Sequence, residues 1–451
     1  MTKLKTNLKN NSETIAKIIA KDLAYNWHPF TQMKHHEANP PIPIKRAEGC
    51  YLIDMNDTPY LDTISSWWCT IHGHSHPAIV SAIQSQAATL CHTLYAGTTH
   101  QPVADLSERL VSITPDGLDR VFYTDNGSTA IEMALKCSVA YFKRKGFSQK
   151  TRFVSLEHGY HGDTLGCMSV SHVSEFNQEF SALATPAIKI PVPIESNKPD
   201  QLNMKGFITY CTNVFSGFLK SNNNEIAALV VEPLLQAAGG FRMYPPQFLD
   251  MLGSLCASYN VHLIVDEVAT GFGRTGRYFA VDHVPDLRPD FLCLSKGLTS
   301  GTMPLAATLT TQKIYDAFYN DSKQEMFAHG HTYCANPLGC AVALATLSTF
   351  ETENTLNHVQ QLTDMLSTKH AQFSAIPGVL NIRQLGSILA MTIPNLPVIH
   401  TELCERGRSA GFWLRPLGTT LYFMPPLSIP IETYAHLVDT VAEILTEILP
   451  A

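Results

Sequence analysis

Apolar runs in the middle of the chain alternate with stretches of helical periodicity. Between residues 76 and 335, the runs RVFYTD, AALVVEP, HLIVDEV and FLCLSK are typical of buried strands, and TAIEMALKCSVAYF is typical of an amphipathic helix. Buried strands that alternate with helices are typical of proteins with a mainly parallel sheet. The pattern therefore predicts an α/β fold, with one large domain over residues 76–335.

The two ends of the chain have other patterns. Residues 1–75 begin with a Lys-rich segment that lacks the apolar stretch of a secretion signal, which predicts a surface helix, and continue with short alternating strands around a turn at Asn56 and Asp57. Residues 336–451 combine long helices with short strands and are expected to form a separate α+β lobe. Gly330–Pro337, punctuated by Gly and Pro, is the expected linker.

Composition limits the kinds of partner. The chain has 451 residues, of which 45% are hydrophobic and 16% charged, and its net charge is −7. The negative charge disfavours binding to nucleic acid or to an anionic membrane, so small molecules are the expected partners. Soluble domains have about 25% charged residues, so the low fraction predicts a surface covered by a second subunit. No run approaches the roughly 18 apolar residues of a membrane span.

Three sequence patterns could indicate disulfides, a metal site or a dinucleotide-binding site, but each has a simpler explanation. The eleven cysteines are scattered without a C-x-x-C pair, which predicts reduced thiols in the cytoplasm. His72, His74 and His76 have no carboxylate or cysteine at ligand spacing, so we expect hydrogen-bonding histidines and no metal site. GFGRTG at residues 271–276 matches a dinucleotide-binding pattern, but RYFAVDHVPD follows it instead of a helix.

Two charged residues mark the most informative place in the sequence. Asp266 ends the apolar run that begins at His262, and Lys296 lies just past the run FLCL. Open α/β sheets bind ligands at the carboxyl ends of their strands. A lysine that forms a Schiff base and an aspartate that holds a protonated pyridine nitrogen are the pair that pyridoxal phosphate requires. An Asp–Lys ion pair at a strand end fits the spacing as well.

Two further segments offer groups for such a cofactor. Asn126, Gly127 and Ser128 form a small-residue turn directly before a predicted helix, where free N–H groups and the helix dipole favour a phosphate. An ordinary helix cap explains Ser128 equally well. The segment EHGYHGDTLG is predicted to be a loop, in which Tyr160 could lie against an aromatic cofactor ring or simply pack on the surface.

Together these motifs resemble a known family. TDNGSTAIEMALK, EHGYHGDTLG, VEPLLQAAGG, LIVDEVATGFGRTG, LCLSKGLTSG and HGHTYCANPLGCAVA occur in the order and spacing of the fold-type I, class III pyridoxal phosphate aminotransferases. The resemblance covers nearly the whole chain and implies a large cofactor-binding domain and a smaller α+β domain built from both chain ends. HPFTQM, ISSWWCTIHGH and WLRPLG are similar to the branch that converts 8-amino-7-oxononanoate to 7,8-diaminononanoate in biotin biosynthesis.

The resemblance also implies a role for individual residues. Lys296 would carry the cofactor as a Schiff base and move the proton, and Asp266 would hold the pyridine nitrogen. Tyr160 would stack near the ring, and Asp163 would orient the site. The remaining cofactor-binding residues would be Gly127, Ser128, His331 and Thr332, with Thr332 reaching the phosphate from the neighbouring subunit of a homodimer. The other substrate-binding residues would be Phe30, Trp67, Trp68, Gly330, Arg274 and Arg415, the last as the clamp on the carboxylate.

The motifs also bear on the amino donor and on rival functions. S-adenosylmethionine is the expected donor, because SSWW resembles the branch that uses it. Phe30 replaces a tyrosine and His331 replaces a proline of that branch, so a lysine-using variant and a generic ω-amino acid or diamine transaminase remain alternatives. A pyridoxal phosphate-binding regulator is disfavoured, since no helix-turn-helix segment or basic face precedes the domain.

Overall fold

The computed structural model describes residues 2–173 and 178–449, with side chains from residue 11 onward. Its strands in chain order are β1 (Ile44–Glu48), β2 (Tyr51–Asp54), β3 (Pro59–Asp62), β4 (Arg120–Thr124), β5 (Arg152–Leu156), β6 (Ile188–Ile190), β7 (Ile226–Val231), β8 (Leu235–Gln236), β9 (Arg242–Met243), β10 (His262–Asp266), β11 (Phe291–Leu294), β12 (Ala306–Thr310), β13 (Leu380–Leu385), β14 (Ile388–Thr392), β15 (Phe412–Trp413) and β16 (Thr420–Phe423).

Helices pack around these strands. The α-helices are Thr2–Tyr25, His35–Ala38, Pro77–Thr89, Gln101–Ile113, Gly127–Arg144, Leu165–Val170, Met204–Asn222, Pro246–Ser258, Gln312–Asp316, Pro337–Thr352, Thr355–Ser374, Pro397–Ser409 and Ile431–Ile448. Short 3₁₀ helices are Gln178–Leu183, Glu195–Asn197, Ala280–His283, Lys296–Thr299 and Lys323–Glu325. Among the described helices, none is both long and apolar enough to span a bilayer.

A seven-stranded sheet forms the centre of the molecule. Its strand order is β4-β12-β11-β10-β7-β5-β6, and only β12 is antiparallel to its neighbours. Strands β7, β10, β11 and β12 are buried along their whole length, because helices cover both faces of the sheet. The helix Gly127–Arg144 packs on one face of the sheet and buries its apolar positions, Ala130, Met133, Ala134, Cys137 and Tyr141. The prediction of a mainly parallel sheet in an α/β fold is confirmed.

The two ends of the chain meet in a second sheet. Strands β1, β2 and β3 pair in order, and β15 from the C-terminal third adds to β3 in parallel. Strands β13, β14 and β16 form a further sheet, which packs with the C-terminal helices around a separate apolar core. The division at residues 75 and 335 stays a prediction. This second core and the sheet shared by both ends support it.

Several local predictions have direct counterparts in the structure. The N-terminal segment is the helix Thr2–Tyr25. His72, His74 and His76 hydrogen-bond to three different partners, in agreement with the expected hydrogen-bonding histidines. All eleven cysteines are free thiols. No regular element occurs between Met326 and the helix that begins at Pro337, which agrees with the expected linker.

Candidate active site

A cavity of about 410 Å³ lies at the carboxyl ends of the parallel strands. Successive strands contribute to its lining in the same way, because parallel strands end at one edge of the sheet. The contributing residues are Asp125 to Ser128 after β4, Tyr160 to Gly162 after β5, Glu232 after β7, Asp266 at the end of β10 and Lys296 after β11. The structure therefore brings together side chains that are far apart in the sequence.

The Asp266 carboxylate is buried, and each of its oxygens has one partner within the protein. One oxygen is 2.8 Å from His161 Nδ1, and the other accepts the Val268 N–H at 3.0 Å. A buried carboxylate is stable only with such partners. His161 Nε2 is buried as well and has no hydrogen-bond partner among the described residues. The pair thus presents a carboxylate, backed by an imidazole, to the cavity.

Glu232 is a second carboxyl at this edge, and it was not predicted. Its oxygens accept the N–H groups of Tyr160 at 3.0 Å and Ala237 at 2.9 Å. Burial raises the pKa of Glu232 to about 7; His161 opposes this increase and Asp266 adds to it. The same strand-end position that marked Asp266 applies to Glu232 at the end of IAALVV, so the sequence did contain a signal for it.

Lys296 lines both the 410 Å³ cavity and a second cavity. It begins the 3₁₀ turn after β11 with a φ of 46°, a left-handed conformation that is unusual for lysine. Its Nζ is 5.1 Å from the centre of the Trp68 ring. Burial lowers the pKa of the Lys296 ammonium, and the nearby Asp266 opposes this effect in part. A lowered pKa favours the neutral amine that a nucleophile requires.

The start of the helix Gly127–Arg144 is open toward the cavity. Asn126 caps the helix by accepting the Thr129 N–H at 3.1 Å, and the described residues provide no partner for the N–H groups of Gly127 and Ser128. A Cβ on Gly127 would lie 2.7 Å from a Val268 methyl, so only glycine fits there. Free N–H groups at a helix start form an anion site.

Tyr160 borders both cavities. Its hydroxyl donates to Asp163 Oδ2 at 2.9 Å, and Tyr160 lines the first and the second cavity. Burial raises the pKa of Tyr160 well above its usual range, and the Asp163 carboxylate raises it further. Tyr160 therefore remains a neutral phenol whose orientation is fixed by Asp163.

The second cavity has a volume of about 450 Å³ and is mostly apolar. Its aromatic and aliphatic lining residues are Phe30, Trp67, Trp68, Tyr160, Ala238, Pro416, Leu417 and Tyr422, and it also contains Cys69, Lys296 and Arg415. The Arg415 guanidinium lies 4.4 Å from the centre of the Trp67 ring, a cation–π contact. Phe30 packs edge-on against the same ring at 5.9 Å. The cavity suits a chain of methylenes that ends in a negative charge.

The two tryptophans are carried by an unusual turn. Every residue of Ser65–Trp68 has a positive φ, between 45° and 76°, and the Trp68 N–H donates to Ile64 O at 2.8 Å. The segment is one turn of left-handed helix, which costs non-glycine residues roughly 1–2 kcal/mol each. Surrounding contacts must therefore hold it in place.

Asp62 and Ser65 anchor this turn. The buried Asp62 carboxylate accepts the Ser66 hydroxyl at 2.7 Å and lies 2.9 Å from His74 Nε2. The Ser65 hydroxyl donates to Met424 O at 2.7 Å. The anchors fix Trp68 so that its indole N–H reaches the Tyr422 hydroxyl at 3.1 Å.

Comparison with known proteins identifies the family. The family model described as aminotransferase class-III matches residues 32–445 of the chain. The chain belongs to the class III aminotransferases. This aminotransferase is therefore an enzyme that acts on small molecules, and the alternative of a cofactor-binding regulator is not supported.

Named relatives are similar along most of the chain. The adenosylmethionine-8-amino-7-oxononanoate aminotransferase of Anoxybacillus flavithermus is 38% identical, over 95% of this chain and 96% of its own length. The protein of the same name from Geobacter sulfurreducens is also 38% identical, over 93% and 95%. The solved structure of that enzyme from Methanocaldococcus jannaschii has a TM-score of 0.90 at 34% identity, over 96% of this chain and 99% of its own.

A solved structure of an ω-transaminase shares the same fold. The ω-transaminase of Pseudomonas jessenii, solved in complex with PMP, has a TM-score of 0.89 at 26% identity, over 95% of this chain and 98% of its own. These neighbours confirm the predicted architecture of a fold-type I pyridoxal phosphate transferase.

Arg274 of the aminotransferase does not line either cavity. Its side chain is only 1% exposed, and its guanidinium donates to Pro425 O at 2.5 Å and to Thr70 O at 3.3 Å. The predicted substrate contact is therefore not supported by this geometry. Arg274 instead connects the backbone at Thr70 with the backbone at Pro425. Both segments are far from Arg274 in the sequence, so sequence patterns did not indicate this role.

Three other predicted residues lie outside the cavities of their own chain. Gly330 and Thr332 are exposed, and the His331 ring lies 3.1 Å from the Asp125 carboxylate. Neither of the two cavities is lined by Gly330, His331 or Thr332. Only the Thr332 contact was expected to reach a neighbouring subunit, so its placement within one chain leaves that prediction open. The predicted roles of Gly330 and His331 stay predictions.

Proposed function

We propose that this aminotransferase converts 8-amino-7-oxononanoate to 7,8-diaminononanoate, the reaction of biotin biosynthesis, with pyridoxal phosphate as cofactor and S-adenosylmethionine as amino donor. The relatives that bear the corresponding name support the reaction. The observation that carries the assignment to this chain is Arg415, a cation at the wall of an apolar cavity that Lys296 also lines. A keto acid whose carboxylate follows a methylene chain matches that arrangement.

The first cavity suits pyridoxal phosphate. The free N–H groups of Gly127 and Ser128 would hold the phosphate. Gly162 leaves room for the Ser128 hydroxyl at this site, because a Cβ on Gly162 would overlap that hydroxyl. Asp266, backed by His161, would hold the protonated ring nitrogen. When bound, this cofactor acts as an electron sink that stabilises negative charge at the substrate carbon.

The protein side chains would bind the cofactor and move the proton. Lys296 would hold the cofactor covalently and then, as the free amine, take the proton from the substrate carbon at its Nζ, for which the lowered pKa is suited. Tyr160, oriented by Asp163, would cover the ring and border the substrate. Both roles need groups that stay in place: the Asp163 hydrogen bond orients Tyr160, and the Trp68 ring lies beside the Lys296 amine.

The second cavity would select the substrate. Arg415 would clamp the carboxylate of 8-amino-7-oxononanoate through two parallel hydrogen bonds. Trp67, Trp68 and Phe30 would pack against its methylenes and exclude water. Stacking on Trp67 holds the Arg415 guanidinium in a fixed plane, so less freedom is lost when the carboxylate binds.

The same proposal includes a homodimer in the cytoplasm. His331 and Thr332 would complete the cofactor site of the neighbouring subunit, with Gly330 beside the substrate. The location of this segment outside its own chain's cavities supports this assignment. The eleven free thiols support a reducing compartment.

An assay with two donors tests the reaction. Purified holoenzyme is incubated with 8-amino-7-oxononanoate and either S-adenosylmethionine or lysine, and 7,8-diaminononanoate is measured by mass spectrometry. Product is expected with S-adenosylmethionine. Product with lysine alone would identify the lysine-using variant, and absence of product with both donors would contradict the proposal in favour of a generic ω-transaminase.

Substitution of Arg415 tests the clamp. Arg415→Ala is expected to raise the KM for 8-amino-7-oxononanoate by at least about tenfold, because a charge-assisted hydrogen bond contributes roughly 1.5–3 kcal/mol. Arg288→Gln, an exposed arginine bonded to backbone carbonyls, is the matched control and should leave KM unchanged. An unchanged KM in Arg415→Ala would show that another group holds the carboxylate.

A further inference from the structure

A third cavity, of about 300 Å³, lies apart from the two cavities of the active site. It lies among the hairpin β8–β9, the sheet β13–β14–β16 and the segment Glu195–Asn197. The side chains that matter for its chemistry are Glu195, Arg242, Arg383, Thr392, Thr419 and Thr420. No step of the proposed reaction uses this cavity.

Two arginines give this cavity an uncompensated positive charge. Within the part of the chain that is described, neither Arg242 nor Arg383 has a carboxylate within 4.0 Å. The one acidic residue of the lining, Glu195, is paired with Lys198 at 3.5 Å. Burial, together with the smaller effect of the Arg242 charge, lowers the pKa of Arg383 to about 10. Two like charges that share a partly buried cavity repel each other unless an anion lies between them.

Arg383 is held rigidly by the backbone. Its guanidinium donates to Phe241 O at 2.6 Å, to Asn381 O at 2.6 Å and to Gly240 O at 2.7 Å. Longer contacts at 3.4 Å reach the hydroxyls of Thr392 and Thr420. The donors of Arg383 are therefore occupied, whereas its positive charge is not balanced by any of these neutral acceptors.

Arg242 differs because most of its donors remain available. Its Nε donates to Gly239 O at 2.8 Å, which fixes the start of the guanidinium. Its two terminal nitrogens have no partner among the residues that the structure describes. A guanidinium with both terminal nitrogens free presents the fork that binds two oxygens of one oxyanion.

We propose that this cavity binds a small doubly charged oxyanion, inorganic phosphate or the phosphate of a small phosphomonoester. Arg242 would donate from its terminal nitrogens, and Arg383 would supply the second positive charge. A dianion balances both arginines, whereas a monocarboxylate balances only one. Thr392 and Thr419 line the same cavity, and their hydroxyls would add neutral donors.

Phosphate binding to the holoenzyme tests this proposal. The enzyme is saturated with pyridoxal phosphate, so that the cofactor's own phosphate site is filled, and inorganic phosphate is titrated by isothermal calorimetry at constant ionic strength. Wild-type protein is expected to bind with a saturable isotherm. Arg242→Gln is expected to weaken the affinity by at least about tenfold, the loss of one charge-assisted hydrogen bond.

A matched control separates the site from general charge effects. Arg288→Gln removes an exposed arginine that also bonds to backbone carbonyls and lies in none of the three cavities, so its phosphate affinity should equal that of the wild type. Arg383→Gln is avoided, since three backbone contacts would be lost. The absence of saturable binding, equal affinities of Arg242→Gln and wild type, or equal binding of acetate and phosphate would each overturn the proposal.

Discussion

At the scale of single residues, the active site depends on charges that compensate each other inside the protein. Asp266 and Lys296 could be predicted, because both follow apolar runs at positions where parallel strands end. His161 could not be assigned to Asp266 from the sequence, since 105 residues separate them. Tyr422 lay in no recognised motif, and its bond to Trp68 spans 354 residues. Contacts between distant segments are therefore the part of the site that sequence patterns miss.

The buried carboxyl of Glu232 predicts a pH dependence of stability. Its folded pKa of about 7 lies above the ordinary 4.5, so ionisation has no cost below pH 4.5 and its full cost above pH 7. At about 1.4 kcal/mol per pKa unit, the loss approaches ~3 kcal/mol. In the apoprotein, the Tm of wild type minus that of Glu232→Gln should therefore fall as pH rises from 5 to 8.

Scanning calorimetry across this pH range provides the check. Other titrating groups, including Glu267, are common to both proteins and cancel in the difference. Glu432→Gln removes a carboxylate at an exposed position and is the control for the loss of one acidic group. A constant difference for Glu232→Gln would mean that its carboxyl titrates near the ordinary value.

At the scale of elements, the left-handed turn Ser65–Trp68 is the feature that the sequence predicted least. Helix and strand patterns follow from apolar periodicity, and positive φ is normally indicated by Gly or Asn. This turn contains neither, so its conformation results from contacts with Asp62 and Met424, and His74 in turn contacts the Asp62 carboxylate. The strained backbone lies beside the substrate cavity, where two tryptophans in fixed positions define the shape of the cavity wall.

Removal of the anchor should loosen the turn. Asp62→Ala leaves Ser66 and His74 without their partner and should lower the free energy of unfolding by roughly 2–4 kcal/mol. Because Trp67 and Trp68 then lose their fixed positions, the KM for the keto acid should rise severalfold. Asp54→Ala is the matched control: Asp54 is also buried and accepts two backbone N–H groups, but it does not touch the turn.

Denaturant unfolding and steady-state kinetics on both variants separate the two effects. Asp54→Ala should reduce stability and leave KM unchanged. An equal KM in Asp62→Ala and wild type would mean that the turn holds itself without its anchor.

The start of the helix Gly127–Arg144 yields a second prediction at this scale. Gly162→Ala would place a methyl group against the Ser128 hydroxyl and should lower pyridoxal phosphate affinity by about tenfold or more, because the displaced hydroxyl leaves the phosphate site. Gly146→Ala also lies at a positive φ, 85° against 121° for Gly162, but has no atom within 4 Å of its new Cβ, and should keep the affinity. Fluorescence titration of the apoproteins measures both, and equal losses would indicate backbone strain alone.

At the scale of the whole molecule, the fold was largely predictable and the assembly is the open question. Alternating apolar runs and helices predicted the α/β class, because strands of a sheet that is buried on both faces appear in the sequence as continuous apolar runs. The joining of both chain ends in one sheet came only from the family resemblance, since β15 pairs with β3 across about 350 residues. Tyr25 and Trp27 are 86% and 89% exposed in the single chain, which favours a covering subunit.

Sedimentation velocity checks this assembly. The holoenzyme is expected to sediment with twice the chain mass of 49.8 kDa, and dilution that separates the subunits should reduce cofactor affinity, because Thr332 would no longer reach the neighbouring site. A monomer that retains full cofactor affinity would contradict the shared site.

The account rests above all on Lys296 as the residue that carries the cofactor. The holoenzyme is treated with borohydride, which fixes the bound cofactor to its lysine, and the digested protein is mapped by mass spectrometry. The account predicts that the cofactor mass appears on the peptide that contains Lys296 and on no other. Its appearance on a different lysine, or an unmodified Lys296 in protein that retains activity, would contradict it.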